Sequence, residues 1–378
     1  MDLDLTESEL AFQAEARAWL ADNVPSEPLP SMDTEAGWRA HQEWEARLAA
    51  ARWSVVSWPR EYHGRDASML QWLLFEEEYY ASGAPGRVSQ NGIFMLGPTL
   101  FAHGTQEQRD RILPAMATGE QVWAQAWSEP EAGSDIAALR STAVRTDGGW
   151  LLSGQKTWSS RATFADRAFG LFRTDPEAQR HHGLTYFMAD LKAAGVTVRP
   201  IPQLDGEPGF AEIFFDDVFV PDEDVIGEVG QGWRVAMTTA NNERGLSLRS
   251  PGRFLAAADR LVDLWRDNGE SPSTRDRVAD AWIGARAYRL YTFGTVSRLQ
   301  DGGELGPESS VNKLFWSHLD VELHETALDV LGPQGETDQA WVNGYLFSLA
   351  GPIYGGTDQI QRNTIAERLL KLPREARR

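Results

Sequence analysis

Residues 141–153 have the sequence STAVRTDGGWLLS, in which Gly148 and Gly149 separate two short strand-like runs. Two such runs around a Gly-Gly pair predict a β-hairpin. More strand-like runs follow as far as about residue 225, divided by Gly, Asp and Pro. Because no helical crossovers separate them, this stretch predicts a compact antiparallel β unit rather than a series of βαβ units.

Helical patterns lie on both sides of the β unit. Near the start, Thr6 followed by Glu9 predicts a capped helix N-terminus. After Gly232 the periodicity predicts four long helices, which fit an antiparallel bundle, at residues 233–265, 274–299, 311–331 and 359–370. We therefore predict an α+β fold in three parts: an N-terminal α-helical domain (1–120), a middle antiparallel β domain (121–228) and a C-terminal helical bundle (229–378).

Composition narrows the class of protein. The 378 residues are 42% hydrophobic and 24% charged, which is typical of a folded globular chain. The chain has no cysteine, which excludes disulfides and thiolate nucleophiles, and its net charge of -19 disfavours nucleic acid and anionic lipid as partners. No apolar run is long enough for a membrane span, and the acidic N-terminus is unlike a secretory signal, so we expect a cytoplasmic protein.

Four short stretches carry the candidate chemistry: WSEPEAGSD (127–135), GQKTWSS (154–160), GEVGQGW (227–233) and GGTDQIQRN (355–363). In the second, Trp158 offers a flat surface and Ser160 a hydroxyl at same-side strand spacing. In the fourth, the two glycines allow close backbone approach, and Thr357 or Asp358 can cap a helix whose N-terminus suits a flavin edge or a phosphate. Taken singly, the first two stretches are better explained as a capped turn and as a buried strand tryptophan.

In order and spacing, the four stretches resemble the acyl-CoA dehydrogenases, and the resemblance extends from about Thr6 to Arg374. It implies FAD as the cofactor and an electron-transfer flavoprotein as the acceptor of the electrons. It implies flavin contacts for Ser128, Trp158, Ser160, Gly356, Thr357 and Gln359. It implies acyl-CoA contacts for Ser134, Arg244 and Gly355.

The catalytic base differs from that of many members of the family. Their glutamate corresponds to Gly355, which has no side chain to take a proton. A second branch carries a glutamate followed by arginine on the first helix of the bundle, as Glu243 and Arg244 do here. We therefore expect Glu243 to take the α proton of an acyl-CoA thioester while the β hydrogen leaves as hydride to the flavin N5. The alternatives are that Glu243 is a solvent-facing acid and that Arg244 forms a structural ion pair.

A second departure concerns the assembly of subunits. In homotetrameric members, an Arg-x-x-Phe-Gly element and a later Gln hold the adenosine half of a neighbour's FAD. The segment 266–277 lacks the Phe-Gly and the Gln, and Asp329 stands near where a Gln is usual. Actinobacterial members that degrade steroid side chains share this pattern, and several are α2β2 assemblies. We therefore expect either a homotetramer or an α2β2 heterotetramer with a related subunit, acting on a bulky or steroid-derived acyl chain.

Three other functions remain open. A non-catalytic subunit of the same fold would explain the missing adenosine-binding element, and an oxidase or flavin-dependent hydroxylase would use the same cofactor. A plain helical scaffold would leave the four ordered stretches unexplained. We expect no metal site, because His181 and His182 lie in a loop remote from any acid pair at metal-binding spacing.

Overall fold

A computed structural model describes residues 4–244, 250–303 and 305–373, apart from the side chains of residues 242–244. The chain divides into two compact units. One, which we call the helical unit, comprises Met1–Val24, Ala67–Ala84 and Arg244–Arg378. The other, which we call the sheet unit, comprises Pro25–Asp66 and Pro85–Glu243. The three-part division at residues 120 and 228 stays a prediction.

Helices precede and follow a central, mostly antiparallel sheet, so the predicted α+β fold class is confirmed. The described α-helices are α1 (Glu7–Asn23), α2 (Glu35–Ala50), α3 (Met69–Ala81), α4 (Gly97–His103), α5 (Gln106–Ala117), α6 (Gly232–Arg244), α7 (Pro251–Asp267), α8 (Pro272–Gln300), α9 (Ser309–Leu331), α10 (Gln339–Ser348) and α11 (Asp358–Thr364). The strands are β1 (Trp123–Ala126), β2 (Thr142–Thr146), β3 (Gly149–Ser160), β4 (Arg167–Arg173), β5 (Leu184–Asp190), β6 (Val196–Ile201), β7 (Phe210–Pro221) and β8 (Val225–Ile226).

The sheet has the strand order β6-β7-β3-β2-β4-β5-β8, and β1 pairs with β4 in parallel. The predicted hairpin is present, since β2 and β3 pair antiparallel with Thr146 opposite Gly149. Strand β3 is also the long partner of β7, and the pairing register shifts at two bulges. At the first bulge Gly154 has a φ of 142°, and a Cβ there would lie 2.2 Å from the Oγ of Ser141. Only glycine fits this position without displacing the neighbouring loop.

The core of the helical unit lies between α7, α8 and α9. It is formed by buried aromatic and aliphatic side chains that include Phe254, Leu261, Tyr288, Trp316 and Leu323. At the start of the unit, Thr6 and Glu9 form the predicted capping box of α1. No helix in the described ranges combines the length and the apolarity that crossing a bilayer requires.

The prediction of one uninterrupted helix over residues 233–265 is wrong. Helix α6 is described as far as Arg244, and α7 begins at Pro251 after Ser250, whose ψ of 137° is not helical. The Ser250 side chain accepts a hydrogen bond from the Gly252 N–H, and Pro251 occupies the first helical position. This Ser-Pro pair is an ordinary helix start, which the apolar periodicity obscured. Residues 245–249 lie outside the described part of the chain.

Candidate functional site

The first two sequence stretches meet in the sheet unit. The backbone N–H of Thr157 on β3 donates to the carbonyl oxygen of Ser128 at 2.8 Å. Ser128 follows the end of β1, so this bond joins the 127–135 loop to the strand that carries Trp158 and Ser160. The first two stretches are therefore joined through their backbones.

A buried ion pair reinforces this junction. The Lys156 ammonium, which is 0% exposed, donates to Glu129 Oε1 at 2.8 Å and to the carbonyl oxygen of Leu171 at 2.7 Å. The Glu129 carboxylate also accepts the backbone N–H groups of Arg140 and Ser141 at 2.6 and 3.0 Å. Glu129 thus braces its loop and joins it to β3 through Lys156.

The electrostatics of the pair follow from these contacts. Burial raises the pKa of Glu129, but the Lys156 ammonium and the accepted hydrogen bonds outweigh it, so the pKa lies below the ordinary carboxyl value. Burial lowers the pKa of Lys156, and Glu129 opposes that effect. Because the folded-state pKa of Glu129 is depressed, its contribution to stability is present at neutral pH. It is lost as the pH falls through that depressed pKa.

Trp158 has a strained backbone and an exposed ring. Its φ is 57°, in the left-handed region that residues with side chains rarely adopt, and the residue is 60% exposed. The ring makes one edge-to-face contact with Phe210, at a centroid distance of 5.9 Å. Strain of this kind persists where the surroundings impose it, and it is concentrated at functional sites.

The backbone around Trp158 also shows that the same-side spacing predicted for Trp158 and Ser160 is wrong. A bulge lies between Lys156 and Ser159, so regular side-chain alternation does not extend from Trp158 to Ser160. Two-residue spacing therefore gives no reason to place these side chains on one face. Ser128 and Ser160 are half-buried, and Ser134 is exposed in its loop. Their contacts with flavin and substrate stay predictions.

The fourth stretch forms a tight turn in the helical unit. Gly355 and Gly356 have φ values of 63° and 91°, both left-handed. Of the two candidate caps, it is Thr357 that caps α11, accepting from the Ile360 N–H at 3.3 Å. Gln361 Nε2 donates to the carbonyl oxygens of Gly355 and Gly356, each at 3.1 Å. Gln361 therefore fixes the turn, although the sequence stretch suggested no role for it.

Buried charges lie next to this turn. The Lys313 ammonium donates to the carbonyl oxygen of Gly351 at 2.7 Å. The Asp358 carboxylate contacts His318 Nε2 at 2.7 Å, and Asp358 is itself buried.

Gln359, one of the predicted flavin contacts, is exposed at the start of α11.

Glu243 and Arg244 are the last two residues of α6, and their side chains lie outside the described part of the structure. One turn earlier in the same helix, Thr239 is fully buried and hydrogen-bonded. The backbone therefore places residue 243 on a helix that is anchored in the sheet unit.

The described residues fit a flavin. In the sheet unit, an exposed indole lies on the strand that is bonded to the Ser128 segment. In the helical unit, a Gly-Gly turn leads into a helix capped by Thr357. An aromatic surface, hydroxyls and accessible backbone suit a flat heterocycle rich in hydrogen-bond acceptors. Each of the two sets is consistent with this class of ligand.

This fold and these groups define a flavoprotein of the helix–sheet–helix type, and family models identify it. The N-terminal, middle and C-terminal domain models of the acyl-CoA dehydrogenases match residues 6–120, 124–218 and 230–370. The chain therefore belongs to the acyl-CoA dehydrogenase family, whose cofactor is FAD.

Among individual relatives, the acyl-CoA dehydrogenase IpdE1 of Mycobacterium tuberculosis is 41% identical, over 97% of this chain and 98% of the relative. Two solved assemblies are similar in structure. The steroid acyl-CoA dehydrogenase Tcur3481-Tcur3483 has a TM-score of 0.87 at 26% identity, covering 99% of this chain and 100% of that chain. The ChsE4-ChsE5 complex from Mycobacterium tuberculosis has a TM-score of 0.87 at 26% identity, covering both chains completely.

The buried ion pair yields a stability prediction. Replacing Lys156 by Met leaves Glu129 charged and unpaired in the interior, which should lower the free energy of unfolding by about 3–5 kcal/mol. The double variant Lys156→Met/Glu129→Gln should recover part of that loss, because no buried charge remains. Denaturant unfolding at neutral pH measures both values.

A surface pair in the same unit provides the control. Lys192 donates to Asp166 at 2.6 Å, but its side chain is mostly exposed. Lys192→Met should therefore cost less than about 1 kcal/mol. If Lys156→Met lowered the free energy of unfolding no more than Lys192→Met, the buried pair would not stabilise the fold more than a surface pair does.

Proposed function

We propose that this chain oxidises an acyl-CoA thioester between its α and β carbons, with Glu243 as the base. The proposal is carried by the residues found at the two places where the family has its catalytic base. Position 355 is a glycine with a φ of 63°, a conformation disfavoured for a glutamate, and a Glu-Arg pair occupies the last turn of α6. Together they favour relocation of the base to Glu243 rather than its loss.

The chain's own residues then have distinct tasks. The Glu243 carboxylate takes the α proton as a general base. A backbone N–H near Gly355 donates to the thioester oxygen and stabilises the negative charge that develops there. Bound FAD would supply the hydride acceptor for the β hydrogen.

The remaining predicted residues would bind the flavin and the acyl-CoA. Ser128, Trp158 and Ser160 would hold the flavin in the sheet unit. Gly356, Thr357 and Gln359 would hold it in the helical unit. Ser134 and Arg244 would contact the acyl-CoA, and an electron-transfer flavoprotein would take the electrons onward.

For the acyl group we propose a bulky, steroid-derived chain. One similar assembly is named as a steroid acyl-CoA dehydrogenase. A base on α6 also leaves free the space that a glutamate side chain at position 355 would fill. A panel of straight-chain, branched and polycyclic acyl-CoA thioesters, compared by anaerobic flavin reduction, tests this choice.

The base assignment predicts the behaviour of Glu243→Gln. An amide cannot accept the α proton, so bleaching of the flavin by acyl-CoA should slow by roughly 10²- to 10⁴-fold. Stopped-flow absorbance with the acyl-CoA panel measures the rate. Glu322→Gln, at an exposed acid on α9, should leave it unchanged. Bleaching of Glu243→Gln at the wild-type rate would show that the base lies elsewhere.

We also propose that the chain works with a related second subunit as an α2β2 assembly. The segment 266–277, which lacks the family's adenosine-binding element, ends at Arg277. The Arg277 guanidinium bonds to the carboxylate of Asp329, which stands near where a Gln is usual. Both similar assemblies are named as pairs of proteins. A non-catalytic role for this chain in such a pair is the second candidate, favoured by the same missing element.

This proposal predicts how the chain behaves when purified alone. It should contain clearly less than one FAD per chain, and addition of a related subunit should restore both flavin content and acyl-CoA oxidation. Size-exclusion chromatography with a flavin-to-protein ratio measures this. A fully flavinated and active homotetramer of this chain would exclude a required partner. Release of hydrogen peroxide on adding acyl-CoA would instead favour an oxidase.

A further inference from the structure

A continuous line of hydrogen bonds runs through the interior of the sheet unit to the helix that carries Glu243. Trp127 Nε1 donates to Tyr186 Oη at 3.2 Å, and Tyr186 Oη lies 3.1 Å from Thr239 Oγ1. Thr239 Oγ1 lies 2.8 Å from Thr99 Oγ1, which donates to the carbonyl oxygen of Met95 at 2.7 Å. We call these four side chains, Trp127, Tyr186, Thr239 and Thr99, the hydroxyl chain.

The protons of the hydroxyl chain can be assigned in one direction. An indole N–H only donates, so Tyr186 accepts from Trp127 and can donate its own proton to Thr239. Thr239 can then donate to Thr99, and Thr99 to the Met95 carbonyl oxygen. Thr239 Oγ1 also lies 3.2 Å from the carbonyl oxygen of Val235 in its own helix, so its single proton has two possible acceptors.

The hydroxyl chain connects elements whose relative positions matter for the proposed reaction. Trp127 immediately precedes Ser128, and Thr99 lies in α4 just after the π-helical turn Gly92–Leu96. Tyr186 lies in β5 and Thr239 in α6. Residue 243 comes four positions after Thr239, one turn along the same helix and on the same side of it.

Burial makes these contacts restrictive. Thr99, Tyr186 and Thr239 are all fully buried. A shift or rotation of α6 would break the Thr99–Thr239 and Tyr186–Thr239 bonds, and no water can replace them in the interior. An apolar residue at position 239 would fill the same space without this constraint.

We propose that Thr239, through the hydroxyl chain, is a positioning residue that fixes the catalytic turn of α6 relative to the Trp127–Ser128 segment. The proposal rests on the proposed function, in which Glu243 is the base. Proton transfer requires close alignment of carboxylate and α carbon, and a displacement of about 1 Å can reduce a rate by roughly 100-fold. Anchoring one turn before the base restricts such displacement.

The test compares Thr239→Val with Thr239→Ser, which keeps the hydroxyl. Thr292→Val is the matched control, because Thr292 is also fully buried on a helix and donates to a carbonyl oxygen one turn back, that of Tyr288, at 2.9 Å. Amide hydrogen exchange of the flavin-loaded protein, without substrate, reports on residues 240–244. Exchange there should be faster in Thr239→Val and unchanged in the other two variants.

Kinetics provide the second readout. With the acyl-CoA of the panel that reduces wild-type flavin fastest, Thr239→Val should lower kcat about 10- to 100-fold and leave KM nearly unchanged. Thr239→Ser should retain most of the activity. Thr292→Val should lower the melting temperature to a similar extent as Thr239→Val, with the rate of flavin reduction unchanged.

Unchanged exchange in Thr239→Val, or flavin reduction as fast as in Thr292→Val, would overturn the positioning role. Glu243→Gln separates this failure from that of the proposed function. If Glu243→Gln still reduces the flavin normally, the base assignment has failed. If Glu243→Gln is inactive and Thr239→Val is normal, only the positioning role has failed.

Discussion

The structure of the sheet unit depends on one buried charge. The Lys156 ammonium has no access to water and is held by Glu129 and by the Leu171 carbonyl oxygen on β4. A lone buried ammonium would be costly, so Lys156, Glu129 and the loop that Glu129 braces have to be in place together. The bond between Thr157 and Ser128 then follows, and the segment that carries Trp158 lies beside the Ser128 loop.

Polar groups in the interior have the same effect elsewhere in the chain. Gln361 fixes the Gly355-Gly356 turn by donating to both carbonyl oxygens, and the hydroxyl chain fixes α6. Apolar contacts tolerate small displacements of one element against another. A buried hydrogen bond tolerates them less, because groups that lose their partner cannot bond to water instead. Several residues proposed to act on flavin and substrate therefore lie close in sequence to buried hydrogen-bonding groups. Trp158, whose backbone is strained, follows Lys156 by two residues.

Features with local causes could be predicted from the sequence. The Gly148-Gly149 hairpin, the Thr6 capping box and the order of helices and strands all depend on neighbouring residues, and all are present. The four ordered stretches sufficed to indicate the family. The break before Pro251 also had a local signal, in Ser250 and the proline, but the apolar period through 233–265 was given more weight.

Features with distant causes could not be predicted. The bulge near Trp158 arises from the pairing of β3 with β7, some fifty residues further along the chain. Thr99 and Thr239 are 140 residues apart, and a threonine in a helix gives no sign of its partner. The same holds for Lys156 and Glu129, which in sequence are two charged residues among many.

In the proposed reaction, the carboxylate of residue 243 and the flavin act on the same carbon–carbon bond. An experimental structure of the flavin-loaded protein with a bound acyl-CoA analogue that the flavin cannot oxidise would show whether they do. We expect a Glu243 carboxylate oxygen about 3–3.5 Å from the α carbon, with the flavin on the other side of the acyl chain. A Glu243 side chain directed into solvent, or a different acid beside the α carbon, would show that Glu243 is not the base.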